Sequence, residues 1–367
     1  MRSKRTLLVL TVVSIAMYIW AEHSHVTKKA PHFDDKLAAA ELMKTMMDSL
    51  RQFQYANGIF PDEINDPNLT ALIGQQYTRI TTDIGDLDSK TTALNPNMAA
   101  VFINYFKEAG LEEGDIVAAG MTGSLPGMNL AFYAACEVLS LKPIVITSVG
   151  ASSWGANDPY YTWLDMEHRL METGLISRRS IAASYGGGED LGGRLSPEGR
   201  EYIRKAADRN DLRFIEEPNL EASVALRMSI YDDMAEDEKI KLYVNIGGGL
   251  ASIGHGQNSD LIPVGVSSLL PILNYPRKGV IHHFSESGVP VAHIVNIHII
   301  ANNYNLPRSP SPLPEPGSGS LFSEIRYNLF VTVIALLVVV ATLIAVLLFD
   351  RRLQQMDRPG ADPDTLV

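Results

Sequence analysis

Apolar residues fall along this chain in three different patterns. At two places they run on without a charge, from Thr6 to Ala21 and from Leu329 to Phe349. Between 34 and 58, in "DDKLAAAELMKTMMDSLRQFQYANG", they return at intervals of three and four, which predicts an amphipathic helix. Asp34 or Asp35 is expected to cap its start and Asn57-Gly58 to end it. From about 96 to 305 a third pattern holds, with short all-apolar runs alternating with helical stretches. "GDIVAAG", "PIVITSV", "SIAASY" and "IKLYVNIG" read as strands. Helices are expected from Asn95-Pro96 to Phe106 and over "LPGMNLAFYAACEVLSL", "YYTWLDMEHRLMETG", "SPEGREYIRKAADRN" with Ser196 as its cap, and "LEASVALRMSIYDDMAE". The stretch 277–304 mixes helix and short strand. Apolar strands alternating with helices predict an α/β domain whose parallel sheet is covered on both faces and joined by right-handed crossovers.

The two uninterrupted runs change the picture. Leu329–Phe349 is long enough, at about 1.5 Å per residue, to cross a hydrocarbon core of about 30 Å, and it is apolar on every face. Residues 6–21 are just short of a full untilted span and follow a basic tip, residues 1–5, with Arg2, Lys4 and Arg5. An uncleaved anchor is expected there, with Tyr18 and Trp20 at its outer end; a cleaved signal peptide is the alternative. Arg351, Arg352 and Arg358 in the tail, 350–367, place both tips on the cytoplasmic side, so residues 22–328 face outside or the periplasm. Lys28, Lys29 and Arg326 on the opposite flanks weaken that bias, and the inverted topology stays open. Within the outer part, 22–305 is the folded domain and 306–328, beginning "LPRSPSPLPEPGSGSLF", reads as a Pro/Gly/Ser-rich extended linker.

Charge and cysteine usage exclude several classes. A formal net charge of −11 over 367 residues is the wrong sign for nucleic acid and for broad capture of an acidic polymer. An acidic ligand would need a local, directional site. Cys136 is the single cysteine, which rules out intrachain disulfides and Cys-x-x-Cys zinc sites, and it reads as a small buried hydrophobe. The histidines at 282, 283, 293 and 298 lack the spacing of three or four that helical metal ligands prefer, and no metal is expected. Asp165 and Glu167, two apart and so not on one helical face, read as one cap-side contact and one solvated charge and not as a general acid/base pair.

Three expected strands end in loops of glycine, hydroxyl and amide residues: "GMTGSLPGMN", "GASSWGANDP" and "GGGLASIGHG". In a Rossmann-like, doubly wound parallel sheet such loops share the C-terminal edge, where ligands bind at the point of strand-order reversal. Glycine permits close backbone approach, and the freed N–H groups suit an anion. The candidate ligand-binding residues are therefore Thr122, Gly123, Ser124, Asn129, Ser152, Ser153, Asn157, Gly247, Gly248, Gly249, Ser252 and His255. No loop matches a phosphate fingerprint, so neither nucleotide nor other cofactor is expected. Ser124 keeps three roles open: hydrogen bonding to a ligand, nucleophile with His255 and Asp165, or simple helix cap.

"TTALNPNMAAVFINYFKEAGLEEGDIVAAGMTGSLPGMNLA", "ITSVGASSWGANDPYYTWLDMEHRL" and "VNIGGGLASIGHG" together resemble the poly-γ-glutamate system protein family over roughly residues 35–305. The resemblance implies a bacterial inner-membrane protein that works beside the poly-γ-glutamate synthase and its membrane partner. It brings no catalytic residue with it. The implied role is accessory to synthesis or export, with poly-γ-glutamate or a glutamate oligomer as ligand; a γ-glutamyl hydrolase or transferase is the alternative.

Overall fold

The computed structural model describes residues 4–356, so the expected basic residues Arg2 and Arg358 lie outside the described part. The chain divides into two compact units, residues 30–322 and the paired ends.

The unit 30–322 is built on a seven-stranded sheet. In chain order its strands are β1 (Ile116–Thr122), β2 (Lys142–Ser148), β3 (Ala182–Ser184), β4 (Arg213–Ile215), β5 (Ile240–Ile246), β6 (Gly265–Ser267) and β7 (Val291–Ile294). Across the sheet the order is β6-β7-β5-β1-β2-β3-β4. All neighbours are parallel except β6, which runs antiparallel to β7. The expected all-parallel sheet is corrected at that edge, where a three-residue, partly covered strand follows two four-residue helical turns. Strands β1 to β4 are laid down in one direction and β5 and β7 in the other, so the order reverses between β1 and β5.

Alternation along β1 shows why both faces are covered. Val117, Ala119 and Met121 join a core with the helices Phe33–Ala56, Met98–Glu108 and Pro126–Val138. Ile116 and Ala118 point the other way, into a core with the helices Leu220–Ala235 and Val280–Glu286. Strands buried on both faces need apolar residues at every position, which is what made β1, β2 and β5 legible. The first long helix begins after His32 in a left-handed conformation with no side-chain cap, so Asp34 and Asp35 sit in its first turn instead of capping it. There they still oppose the positive end of the helix dipole. Gly58, left-handed at φ +75°, ends it as expected. Ser196 caps Pro197–Arg209 by accepting from the Gly199 N–H, and Cys136 is buried.

The proline-rich stretch is not a free spacer over 306–322. Leu321 and Phe322 are buried in the domain core, and Asn97 accepts from the Gly317 N–H and donates to the Glu315 carbonyl. Thr92 accepts from the Ser309 N–H, and Lys36 donates to the Leu321 carbonyl. The physical reason is that an extended proline-rich chain makes no backbone hydrogen bonds to itself, leaving its groups free for neighbouring side chains.

In the second unit, the helices Lys4–Glu22 and Leu329–Met356 lie beside an antiparallel ribbon of His25–Lys29 and Ser323–Tyr327. Among the described residues one helical stretch, Leu329–Phe349, is long and apolar enough to cross a membrane by length and composition. Thr6–Glu22 is apolar but shorter, so the second expected span falls below that length.

Candidate functional site

Because β1, β2 and β5 are adjacent and parallel, their three following loops meet at one edge of the sheet. In the first loop the glycines serve close packing. The Gly123 N–H donates to the Ser148 carbonyl and its own carbonyl accepts from Ala156, so neither group is free for a ligand. A Cβ at Gly127 would strike the Ala93 carbonyl, which presses the start of the Pro126–Val138 helix against Ala93 and Leu94. Thr122 is buried, and its carbonyl accepts from Asn129 Nδ2 at 3.0 Å. Asn129 Oδ1 is buried with no partner.

The second loop crosses the first. The Ser152 N–H donates to Ser124 Oγ at 3.0 Å. Ser152 Oγ in turn lies 2.7 Å from Nζ of Lys90, a residue of the short helix Leu87–Ala93. Lys90 also donates to the Ser124 carbonyl. Its side chain makes no ion pair among the described residues, and burial pulls its pKa down to about 7, with Asp86 one turn back opposing the shift. Gly85 packs close beside the pair: a Cβ there would strike the Ser153 carbonyl and stand 3.1 Å from Ser152 Oγ and 3.2 Å from Lys90 Cε. Two residues on, Trp154 is left-handed at φ 60°, a strained setting for a side chain of that size, and its buried Nε1 has no partner.

Ser153 and Asn157 belong to the scaffold. Ser153 is buried against the Asp83 carbonyl. Asn157 accepts from the Gln75 N–H and donates to the Gln75 carbonyl and Thr81 Oγ1, strapping the 75–81 segment to the loop. Beyond it, Gly155–Asp158 line a cleft of about 400 Å³. Tyr161 OH and Gln54 Oε1, both on buried residues that line the cleft, lack partners.

The third loop bends at once. Gly247 is left-handed at φ +94°, and a Cβ on it would collide with Thr122 Oγ1. Gly249 also packs over Thr122, with Ser148 Oγ beyond, while Gly248 faces open space. Ser252 is turned away: it is buried and bonded to Tyr243 OH. His255 is exposed, and its Nδ1 accepts from the Gln257 N–H. Asp165 is held by Thr162, Arg209 and Asn210. Ser124, His255 and Asp165 thus have separate partners and make no relay.

Two features escaped sequence reasoning besides Lys90. After β3 comes a fourth glycine loop, Gly186–Gly193, whose Asp190 is buried in an ion pair with Arg227 at 3.0 Å. Ser184 and Ser223 donate to the same carboxylate. The run "GGGEDLGG" was its visible signal. Glu167 is buried and not solvated: Tyr133 OH, Trp163 Nε1 and the Ser180 N–H and hydroxyl all donate to it. Burial raises its pKa against the pull of those donors. Asp165 does complete the capping box of Trp163–Glu172. His282 and His293 are buried, His298 pairs with Asp86 at 2.9 Å, and no group of three or more metal-ligating side chains occurs among the described residues.

No family model and no curated protein matches the chain. Among solved structures, an archaeal alanine:glyoxylate aminotransferase is similar at 12% identity and a TM-score of 0.15, over 96% of this chain and 62% of that one. A score that low carries no argument about fold or chemistry.

Proposed function

We propose that this is a membrane-attached accessory protein of poly-γ-glutamate synthesis or export, whose α/β domain binds a γ-glutamyl chain at the C-terminal edge of its sheet. The synthase and its membrane partner are the protein partners this reading implies. The observation that supports it is the meeting of three loops at the point of strand-order reversal, the place where open α/β sheets take their ligands. There Gly248 faces open space, and Ser124 and Ser152 stand half-buried. A net charge of −11 keeps the rest of the surface from holding a polyanion, so binding is confined to that edge.

The test is binding of γ-linked glutamate oligomers to the full-length protein in lipid nanodiscs. Gly248→Glu puts a like charge into space that is open, at a position without a left-handed backbone. Affinity is expected to fall at least about 10-fold with an unchanged melting temperature, the loss that about 1.4 kcal/mol represents. Oligomer binding that the substitution leaves untouched, or no binding to the wild-type protein, overturns the reading.

A further inference from the structure

We propose that Ser152 and Lys90 form a nucleophile–base pair for acyl transfer at an amide bond. The proposal rests on the chain-binding reading above only for its substrate class, the γ-glutamyl amide. Four observations point to the pair. Lys90 is buried yet makes no ion pair among the described residues, which is unusual for a charge that serves structure. Its Nζ reaches a hydroxyl at 2.7 Å, within the range for direct proton transfer. Ser152 is part-exposed in the two-residue strand Ala151–Ser152, beyond β2 at the C-terminal edge of the sheet, while the lysine is buried. The backbone next to Ser152 carries strain at Trp154, and strain of this kind gathers where side chains must be held in place.

The chemistry balances with water alone. Protonated, Lys90 donates to both Ser124 O and Ser152 Oγ. Once neutral, it keeps the bond to the Ser124 carbonyl, and the Ser152 hydroxyl becomes the donor to Nζ. Ser152 Oγ then attacks the amide carbonyl carbon as its proton passes to Lys90. The C–N bond breaks, the leaving amine takes that proton from the Lys90 ammonium, and an ester on Ser152 remains. Water attacks the ester, gives its proton to Lys90 and releases the acid, and the proton returns to Ser152. An amine in place of water makes the same cycle a transfer. A base that loses its proton close to neutral pH suits this work, and burial brings Lys90 there. Ser124, accepting from the Ser152 N–H, is a positioning residue.

The probe is a biotinylated fluorophosphonate, applied to the full-length protein in detergent, with the adduct located by peptide mass spectrometry. Modification is expected at Ser152, with a rate that rises about 10-fold between pH 6 and 8. Ser152→Ala and Lys90→Met should abolish it. Lys90→Arg, which keeps the charge but cannot act as a base, should abolish it as well. Thermal melts identify any variant that fails to fold, and the wild-type pH profile decides the matter without variants. No Ser152 adduct on the folded wild-type protein at pH 8, or a rate independent of pH, overturns the pair. Hydrolysis of γ-glutamyl anilide is followed in parallel. An adduct at Ser152 in a protein that neither binds γ-linked oligomers nor cleaves the anilide upholds the pair and removes the substrate class. Oligomer binding without any adduct leaves the binding reading standing and removes the pair.

Discussion

A lysine buried without a counter-ion sets a measurable pH dependence. The folded-state pKa of Lys90 is about 7, below its ordinary value, because burial disfavours the charged form. Below pH 7 both the folded and unfolded chains carry the proton, and the folded state bears the whole cost of the buried charge. Between pH 7 and the ordinary lysine range the unfolded chain binds more protons, so stability rises with pH, and above that range the cost is gone. Lys90→Met removes it at every pH. The variant is therefore expected to be more stable than wild type at pH 6, by on the order of a few kcal/mol, with the gap closing towards pH 10. Urea melts at a series of pH values check this, and a gap that widens with pH contradicts it. Nothing local in the sequence announces the residue. Its neighbours "DLDSK" read as a polar helix start, and its burial comes from groups 34 and 62 positions away.

At the scale of the elements, β1, β2 and β5 were readable because each is a seven-residue strand in which at least the last five residues are buried, on both faces. The strands β4, β6 and β7 span three or four residues, which gives little period or run to read, and β3, equally short, was legible only in outline as "SIAASY". The loops were readable as loops, and their shared edge follows from parallel topology. What each glycine is for was not readable, since that depends on which atoms come near it. In the first loop the glycines admit neighbouring backbone; in the third Gly247 and Gly249 admit Thr122. The three adjacent glycines of that third loop should accordingly differ. Gly247→Ala adds a strained backbone to a collision with Thr122 and should cost at least about 2 kcal/mol. Gly248→Ala meets nothing and should stay within about 0.5 kcal/mol of wild type. Thermal melts of the two variants separate them, and equal losses contradict the assignment.

For the whole molecule, topology is open to a direct test. The basic residues at both tips motivate an arrangement in which both ends lie in the cytoplasm and residues 22–328 outside. Protease added to spheroplasts is expected to digest the middle of the chain; protection of it with cleavage of both tails contradicts the arrangement. Resistance of the folded domain to nicking at 306–322 is expected in the same experiment. That stretch looks like a cleavable tether in the sequence, yet its backbone is tied to Asn97, Thr92 and Lys36. Cutting is therefore expected first at exposed turns such as Glu236–Glu238.

The two ends of the domain are also stitched together: the Ala30 N–H donates to the Phe322 carbonyl at 3.0 Å. Topologically the 30–322 unit is then a cassette, a body with its inlet and outlet side by side, and its order of threading is free to be rewritten. A chain that closes 322 onto 30 through a short glycine-serine joint and opens instead between Glu236 and Asp237 should trace the same sheet from a new starting strand. It would carry neither terminal helix. Its circular dichroism spectrum and melting temperature, set beside those of the unpermuted 30–322 fragment, are expected to agree to within a few degrees.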